Sequence, residues 1–243
     1  MSATPVFQGF GPQSLAFFTA LAFHQSREWM ADNKNLYETQ VRQPMGLLLE
    51  QLSAEFVRRE VPLQGNLKTS MFRLNRDVRF ARDKALYKTA AGAVMTRSGS
   101  KGEQGLLYIN LDPKGCFVAC GVYQPLPAQL AEIRRDIVAR SEVFRQACTA
   151  MPDLSLDSGD SLTRAPRGFE AVTEPDLAAA LRMRSLIFRM PVPEADIFTA
   201  GLADTLAGFA EQALPFLRFA WNAVDRVPMD ERAEAPRKGK VSG

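Results

Sequence analysis

The sequence predicts an α+β fold, a single domain in which an antiparallel sheet of about four strands is packed by flanking helices. Three observations carry this prediction. Apolar residues recur at helical spacing up to Phe56, alternate with polar residues in the middle of the chain, and return to helical spacing towards the end. Because neither a repeat nor a linker interrupts residues 1–225, we expect one domain there.

The N-terminal part is predicted to form a block of three helices. The first ends near Phe23, and the second runs from Arg27 to about Val41, with Ser26 as its N-cap. Pro44 suits the first turn of a third helix, whose apolar stripe ends at Phe56.

The middle of the chain is predicted to form strands. Alternation at a period of two indicates a first strand whose inward face carries Phe72, Leu74, Val78 and Phe80. Residues 90–104 are rich in Gly, Ala and Ser and predict a flexible loop. The clearest hairpin joins residues 107–111 to residues 116–123 across a type I turn with Pro and Gly in their usual positions.

The remaining pattern is mainly helical. A long amphipathic helix is expected from Pro127 to Cys148, and a shorter one over residues 174–181. A strand over residues 185–190 precedes a final helix from Asp196 to Trp221, with a bend at Pro215. Pro, Gly and charged residues dominate residues 226–243, which we expect to be a disordered tail.

The composition excludes several classes of protein. With 46% hydrophobic residues and no apolar run of about 18, the chain predicts a soluble domain without a membrane partner. The N-terminus lacks the pattern of a signal peptide, so we expect a cytoplasmic protein. The three cysteines lack metal-ligand spacing, so no metal site is predicted, and Cys116 and Cys120 are expected to be reduced and buried. The only histidine, His24, is expected at a helix end.

Positive charge is concentrated in residues 68–88. This segment holds seven cations and two anions, whereas the whole chain has a net charge of only +3. Such clustering is unfavourable unless carboxylates, an anionic ligand or solvent compensate it. Two interpretations stay open, an anion site and an internal salt-bridge network. Either way, we expect Asp77 and Asp83 to lie within salt-bridge distance of cations in the same segment.

Within this segment, residues 76–89 resemble the signature R-D-V-R-F-S-K-D-K-x-P-Y-K-T of the bacterial domain of unknown function 2461 family. Three further pieces are similar to family elements, namely Arg27-Glu28-Trp29, Gly121 to Pro125 with Ile133-Arg134, and Pro166 to Phe169. These pieces occur in the family's order, and the match as a whole covers roughly residues 7–222. Ala81 replaces the family's serine, which excludes a serine nucleophile at that position. The resemblance implies a shared fold and site but no reaction.

The predicted site combines the basic segment with residues that the resemblance brings in. Arginine offers a rigid fork of donors to phosphate, and lysine offers a compact charge. The expected ligand-binding residues are Arg76, Asp77, Arg79, Asp83, Lys84, Tyr87, Lys88, Trp29 and Arg134. The aspartates would orient the cations, and Trp29 would stack on a ring or an arginine.

The residues favour a pocket lined by Arg and Lys that binds an anionic, phosphate-bearing small molecule or nucleotide. A nucleic-acid-associated protein is one alternative, since arginines interleaved with aromatics suit phosphate contact and base stacking. An interaction module with a structural Arg–Asp network is another. No motif identifies a cofactor or a reaction, so the sequence leaves open whether the chain is an enzyme.

Overall fold

The computed structural model describes residues 6–79, 82–151, 153–157 and 159–228. The strands are β1 (Ala91–Met95), β2 (Leu106–Leu111), β3 (Cys116–Val122) and β4 (Leu186–Val192). They form one antiparallel sheet in the order β1-β2-β3-β4. The predicted α+β class is therefore confirmed.

The helices before the sheet are α1 (Ser14–Phe23), α2 (Arg27–Asp32), α3 (Lys34–Tyr37), α4 (Gln43–Arg58) and α5 (Leu67–Ser70), with a π-helical turn (Glu38–Arg42) between α3 and α4. Those after β3 are α6 (Pro127–Ala139), α7 (Ser141–Thr149), α8 (Pro175–Arg182), α9 (Glu194–Ile197), α10 (Leu202–Gln212) and α11 (Leu214–Val224). Within the described residues, no helix is both long and apolar enough to cross a membrane.

The described residues fall into two compact units. The first unit is drawn from residues 1–120 and 189–212, and the second unit from residues 121–188 and 213–243. The three boundaries along the chain fall within β3, within β4 and between α10 and α11. The single domain over residues 1–225 stays a prediction, as does the tail, because residues 229–243 lie outside the described residues.

The N-terminal helices of the first unit follow the sequence closely. The Ser26 hydroxyl accepts a hydrogen bond from the Trp29 amide at 3.1 Å, which confirms Ser26 as the N-cap of α2. The predicted second helix is nevertheless divided. The Asn33 side chain donates to the Trp29 carbonyl at 2.9 Å, and this local bond competes with regular helix continuation where α2 ends.

Helix α4 forms the core of the first unit with α10. Its apolar stripe, which includes Leu48, Leu52 and Phe56, is fully buried. Just beyond its end, the Arg59 guanidinium binds Asp204 at 2.5 Å and Glu211 at 2.7 Å. The periodic leucines therefore place α4 correctly, because burying an apolar face is what positions an amphipathic helix.

The predicted strand over the basic segment is wrong. Residues 71–79 form no regular strand, and the isolated bridges there join Met71 to Ala93 and Asn75 to Tyr87. Phe72 is half-buried rather than in the core, and Phe80 lies outside the described residues. The alternation misleads because, of the described residues on the predicted inward face, only Leu74 is buried, so the segment has no continuous core face.

The predicted loop over residues 90–104 is also wrong in part, since β1 occupies Ala91–Met95 and is completely buried. Small residues suit this position because a Cβ at Gly92 would lie only 2.5 Å from the Tyr108 hydroxyl. The β2–β3 hairpin is confirmed, and the Gly115 amide closes its turn onto the Asp112 carbonyl at 3.0 Å. Both cysteines of β3 are buried and form no disulfide within the described residues, as predicted.

In the second unit, α11 packs against α6 and α7. The long helix predicted from Pro127 to Cys148 is interrupted at Arg140, whose backbone has a φ of −129° and a ψ of 43°. The predicted final helix is likewise divided into α9, α10 and α11. The break between α10 and α11 falls at Ala213, two residues before Pro215, because proline is tolerated in the first turn of a helix and not in its interior.

Candidate functional site

Residues 76–79 and 82–88, called here the basic loop, are tied together by backbone hydrogen bonds and an ion pair. The Arg76 amide donates to the Leu86 carbonyl at 2.9 Å, and the Lys88 amide donates to the Leu74 carbonyl at 2.8 Å. The Arg76 guanidinium then binds the Asp83 carboxylate across the loop at 2.5 Å. Backbone pairing at the base and an ion pair above it therefore define the loop.

Asp77 and Arg79 form a second ion pair. The Arg79 guanidinium donates to both carboxylate oxygens, at 2.7 and 2.9 Å. These hydrogen bonds from Arg79 lower the pKa of Asp77 to about 2. The pKa of Asp83 is lowered by its bond from Arg76 and by the Ala85 amide. The prediction that both carboxylates pair with cations of the same segment is confirmed, and the charges of Arg76 and Arg79 are compensated by these carboxylates.

We expect Arg79→Met to leave thermal stability nearly unchanged. The Arg79 and Asp77 side chains are 76% and 50% exposed, and exposed pairs contribute little because water screens them. Arg76→Met should lower the melting temperature more, since the Arg76 side chain is only 32% exposed. Thermal unfolding of both variants measures this, and a large loss for Arg79→Met alone would contradict it.

The other predicted residues of the basic loop differ in their roles. The Lys84 ammonium donates to the Val78 carbonyl at 3.2 Å. Tyr87 is buried, and its amide donates to the Gln25 side chain at 2.8 Å. This bond joins the loop to the turn between α1 and α2.

His24 follows the last residue of α1, as expected, and stacks on half-buried Trp29 with 5.5 Å between ring centroids.

Arg134 belongs to the second unit, where it holds the end of α8. Its guanidinium donates to the Leu181 carbonyl at 2.9 Å and to the Met183 carbonyl at 3.2 Å. Burial lowers the pKa of Arg134, because water solvates the cation less well there. These contacts support a structural role, and a ligand contact at Arg134 stays a prediction.

Two lysines converge on one aromatic ring in the first unit. The ammonium groups of Lys88 and Lys101 each lie 5.4 Å from the centroid of Phe72. Burial lowers the pKa of Lys88, and the charges of Arg73 and Lys101 lower it further. In the part of the chain that the structure describes, neither lysine forms an ion pair. Here, unlike at Arg76 and Arg79, the positive charge is not compensated by a carboxylate.

A polar cleft with a volume of about 560 Å³ opens beside Lys101. Its lining residues are Ser53, Gln64, Gly65, Asn66, Lys68, Thr69, Ser98, Gly99, Ser100 and Lys101. None of these residues is acidic, and two are lysines. The cleft is therefore suited to an anion or a polar ligand and not to a cation.

The loop from Ser98 to Lys101 shapes one wall of this cleft. The Glu103 carboxylate accepts from the Ser98 amide at 2.7 Å and from the Arg97 guanidinium at 3.0 Å. Gly99 has a φ of +74°, which favours glycine. Lys101 and this wall are not among the features predicted from the sequence, although the Ser-Gly-Ser-Lys stretch was a signal for them.

Among the described residues, no group of three His, Cys, Asp or Glu side chains could hold a metal ion.

Comparison with known proteins tests the resemblance. No curated protein and no solved structure matches the chain. A family model described as "Conserved hypothetical protein (DUF2461)" matches residues 13–219, which include the basic loop, the β2–β3 hairpin and Arg134. The chain therefore belongs to the domain of unknown function 2461 family.

Proposed function

We propose that this protein binds a phosphate-bearing anion at the lysine site, which consists of Lys68, Lys88, Lys101 and the polar cleft. One observation carries the proposal. Two ammonium groups lie over the same ring without a carboxylate partner among the described residues. An anion between them would supply the missing countercharge.

The charges at the lysine site are unfavourable without such a ligand. Like charges repel, and the lowered pKa of Lys88 reflects this repulsion together with burial. A cation over an aromatic face gains only about 0.5–1 kcal/mol at an exposed site, so Phe72 offsets a small part of the cost. Hydrogen bonds between ammonium and phosphate are charge-assisted and stronger. Phosphate binding would therefore relieve the repulsion directly.

The cleft provides room and donors for the rest of the ligand. Its volume of about 560 Å³ is within the usual range of small-molecule sites, about 300–1,000 Å³. Its lining residues include Thr69, Ser98 and Ser100, whose side chains carry hydroxyl groups. Hydroxyl groups suit phosphate oxygens or a sugar, because they both donate and accept hydrogen bonds.

Of the nine residues predicted from the sequence, Lys88 has the strongest support as a ligand contact. Arg76 and Arg79 already bind carboxylates, so their charge is compensated. They and the other predicted residues remain proposed contacts. A cytoplasmic location is also part of the proposal, and it is supported by the three cysteines, none of which forms a disulfide among the described residues.

Inorganic tripolyphosphate is a suitable probe, because it carries phosphate without any base or sugar. We expect it to raise the melting temperature of the wild-type protein, since a ligand that binds the folded state stabilises it. The double variant Lys88→Met, Lys101→Met should lose this shift and retain or increase its stability without ligand. Calorimetric titration should show the same loss of binding.

Lys114→Met is the matched control, because Lys114 is an exposed lysine in the β2–β3 turn. It should keep the full response to tripolyphosphate. If the wild-type protein does not respond, or if the control variant loses as much binding as the double variant, the lysine site is not a phosphate site.

A further inference from the structure

Three aromatic rings lie in a row across the sheet of the first unit. The ring centroids of Phe72 and Tyr108 are 6.3 Å apart, and those of Tyr108 and Phe117 are 5.8 Å apart. All three side chains are half-buried, so each ring has an accessible part. We call Phe72, Tyr108 and Phe117 the aromatic row.

The period of β2 explains why the central ring is accessible. Leu107, Ile109 and Leu111 are buried, whereas Leu106, Tyr108 and Asn110 on the opposite face are only half-buried. Gly92 leaves space beneath the Tyr108 ring, because a Cβ there would lie 2.5 Å from the hydroxyl. Tyr108 is oriented further by its hydroxyl, which donates to the Asn110 side chain at 3.2 Å. The sheet therefore holds this ring in place.

Cations stand at both ends of the aromatic row. Lys88 and Lys101 lie over Phe72 at one end. At the other end, the guanidinium carbon of the exposed Arg189 in β4 lies 3.6 Å from the centroid of Phe117. Among the described residues, Arg189 forms no ion pair either. The aromatic row therefore has cations at both ends, and none of these cations pairs with a carboxylate among the described residues.

We propose that the aromatic row binds single-stranded nucleic acid, with bases stacked on the rings and phosphates at the flanking cations. This inference rests on the proposed function, since it identifies the phosphate-bearing ligand of the lysine site. Stacking platforms combined with cationic tracks are how proteins bind single strands without reading their sequence. Sheets that present aromatic side chains stack two or three bases in this way.

The arrangement favours a strand over a single nucleotide. A mononucleotide carries its phosphates on one side of its base, whereas the cations lie at opposite ends of the aromatic row. A chain of nucleotides has phosphates on both sides of each base, so its phosphates can bind the cations at both ends of the aromatic row. A duplex is disfavoured because its bases are stacked on one another and unavailable to protein rings.

The test compares two labelled strands of about ten nucleotides, a length within the range bound by small single-strand domains. One is oligothymidylate, and the other is an abasic strand with the same number of phosphates. Fluorescence anisotropy should show tighter binding of the strand with bases. In the variant Tyr108→Leu, Phe117→Leu, we expect affinity for oligothymidylate to fall about 5- to 150-fold for each lost stack, towards that of the abasic strand.

Tyr123→Leu serves as the control, since Tyr123 is an exposed tyrosine outside the aromatic row, and it should bind like the wild type. Thermal unfolding checks that each variant folds, and the single variant Phe117→Leu provides a milder change if the double variant does not. Equal binding of both strands, or unchanged binding by a folded row variant, would overturn the inference. If tripolyphosphate binds and oligothymidylate does not, the inference alone fails; if neither binds, the proposed function fails with it.

Discussion

Replacing Gly121 by alanine is expected to destabilise the protein by about 2–5 kcal/mol. Gly121 has a φ of +141°, and an added Cβ would lie 2.2 Å from the Leu186 carbonyl oxygen and 2.9 Å from the Ile187 Cα. Left-handed backbone costs an L-residue about 1–2 kcal/mol. Overpacking adds about 1–3 kcal/mol, because the atoms in the way are backbone of the neighbouring strand and not a flexible side chain.

Gly115→Ala separates these two causes. Gly115 has the same φ of +141°, but nothing lies within 4 Å of the position that its Cβ would occupy. It should therefore show only the backbone cost of about 1–2 kcal/mol. Denaturant unfolding of both variants gives the free energies of unfolding. Equal losses would mean that the close approach of β4 to Gly121 does not determine its effect.

The second large effect is expected at Arg134. Arg134→Met removes the donors to the Leu181 and Met183 carbonyls at the end of α8. Hydrogen bonds from a charged group contribute about 1.5–3 kcal/mol, and an orphaned carbonyl is costly to bury. The variant also removes a partly buried cation, which offsets part of this loss. We therefore expect a net destabilisation of about 1–3 kcal/mol.

The adjacent Arg135 provides the control for this variant. It is exposed and pairs with Glu132 on the same helix, so Arg135→Met should change the free energy of unfolding by less than about 1 kcal/mol. Denaturant unfolding again provides the comparison. If Arg134→Met is as stable as Arg135→Met, the carbonyl contacts do not stabilise the end of α8. The predicted ligand contact at Arg134 is then favoured over a structural role.

Elements that depend on neighbouring residues in the chain were predictable. The Ser26 cap, the leucine stripe of α4 and the Asp112–Gly115 turn each depend on residues a few positions apart. The helix breaks at Asn33 and Arg140 were missed, because apolar periodicity continues across them. The alternation in the basic segment predicts a strand, but only Leu74 of its described apolar face is buried, and the segment forms no regular strand.

The candidate site was predictable only in part. Concentrated charge in residues 68–88 predicts Lys88 as a ligand contact and the pairing of Asp77 and Asp83, whereas Lys68 is not among the nine predicted contacts. Lys101 was missed because it follows a glycine- and serine-rich stretch that was interpreted as a flexible loop. Nothing in the local sequence indicates that its ammonium, like that of Lys88, lies 5.4 Å from the centroid of Phe72.

The sequence by itself determined the α+β class, the β2–β3 hairpin, the burial of Cys116 and Cys120, and the family. These features follow from composition, from periodicity and from contiguous motifs. All three depend on residues close together in the chain, so they can be recognised in the sequence directly. Tertiary structure alone decided that β1 is buried, that the cleft opens beside Lys101, and that Arg189 lies over Phe117. The reason is physical: these contacts join residues far apart in the chain, and only the packing of the sheet and its loops brings them together.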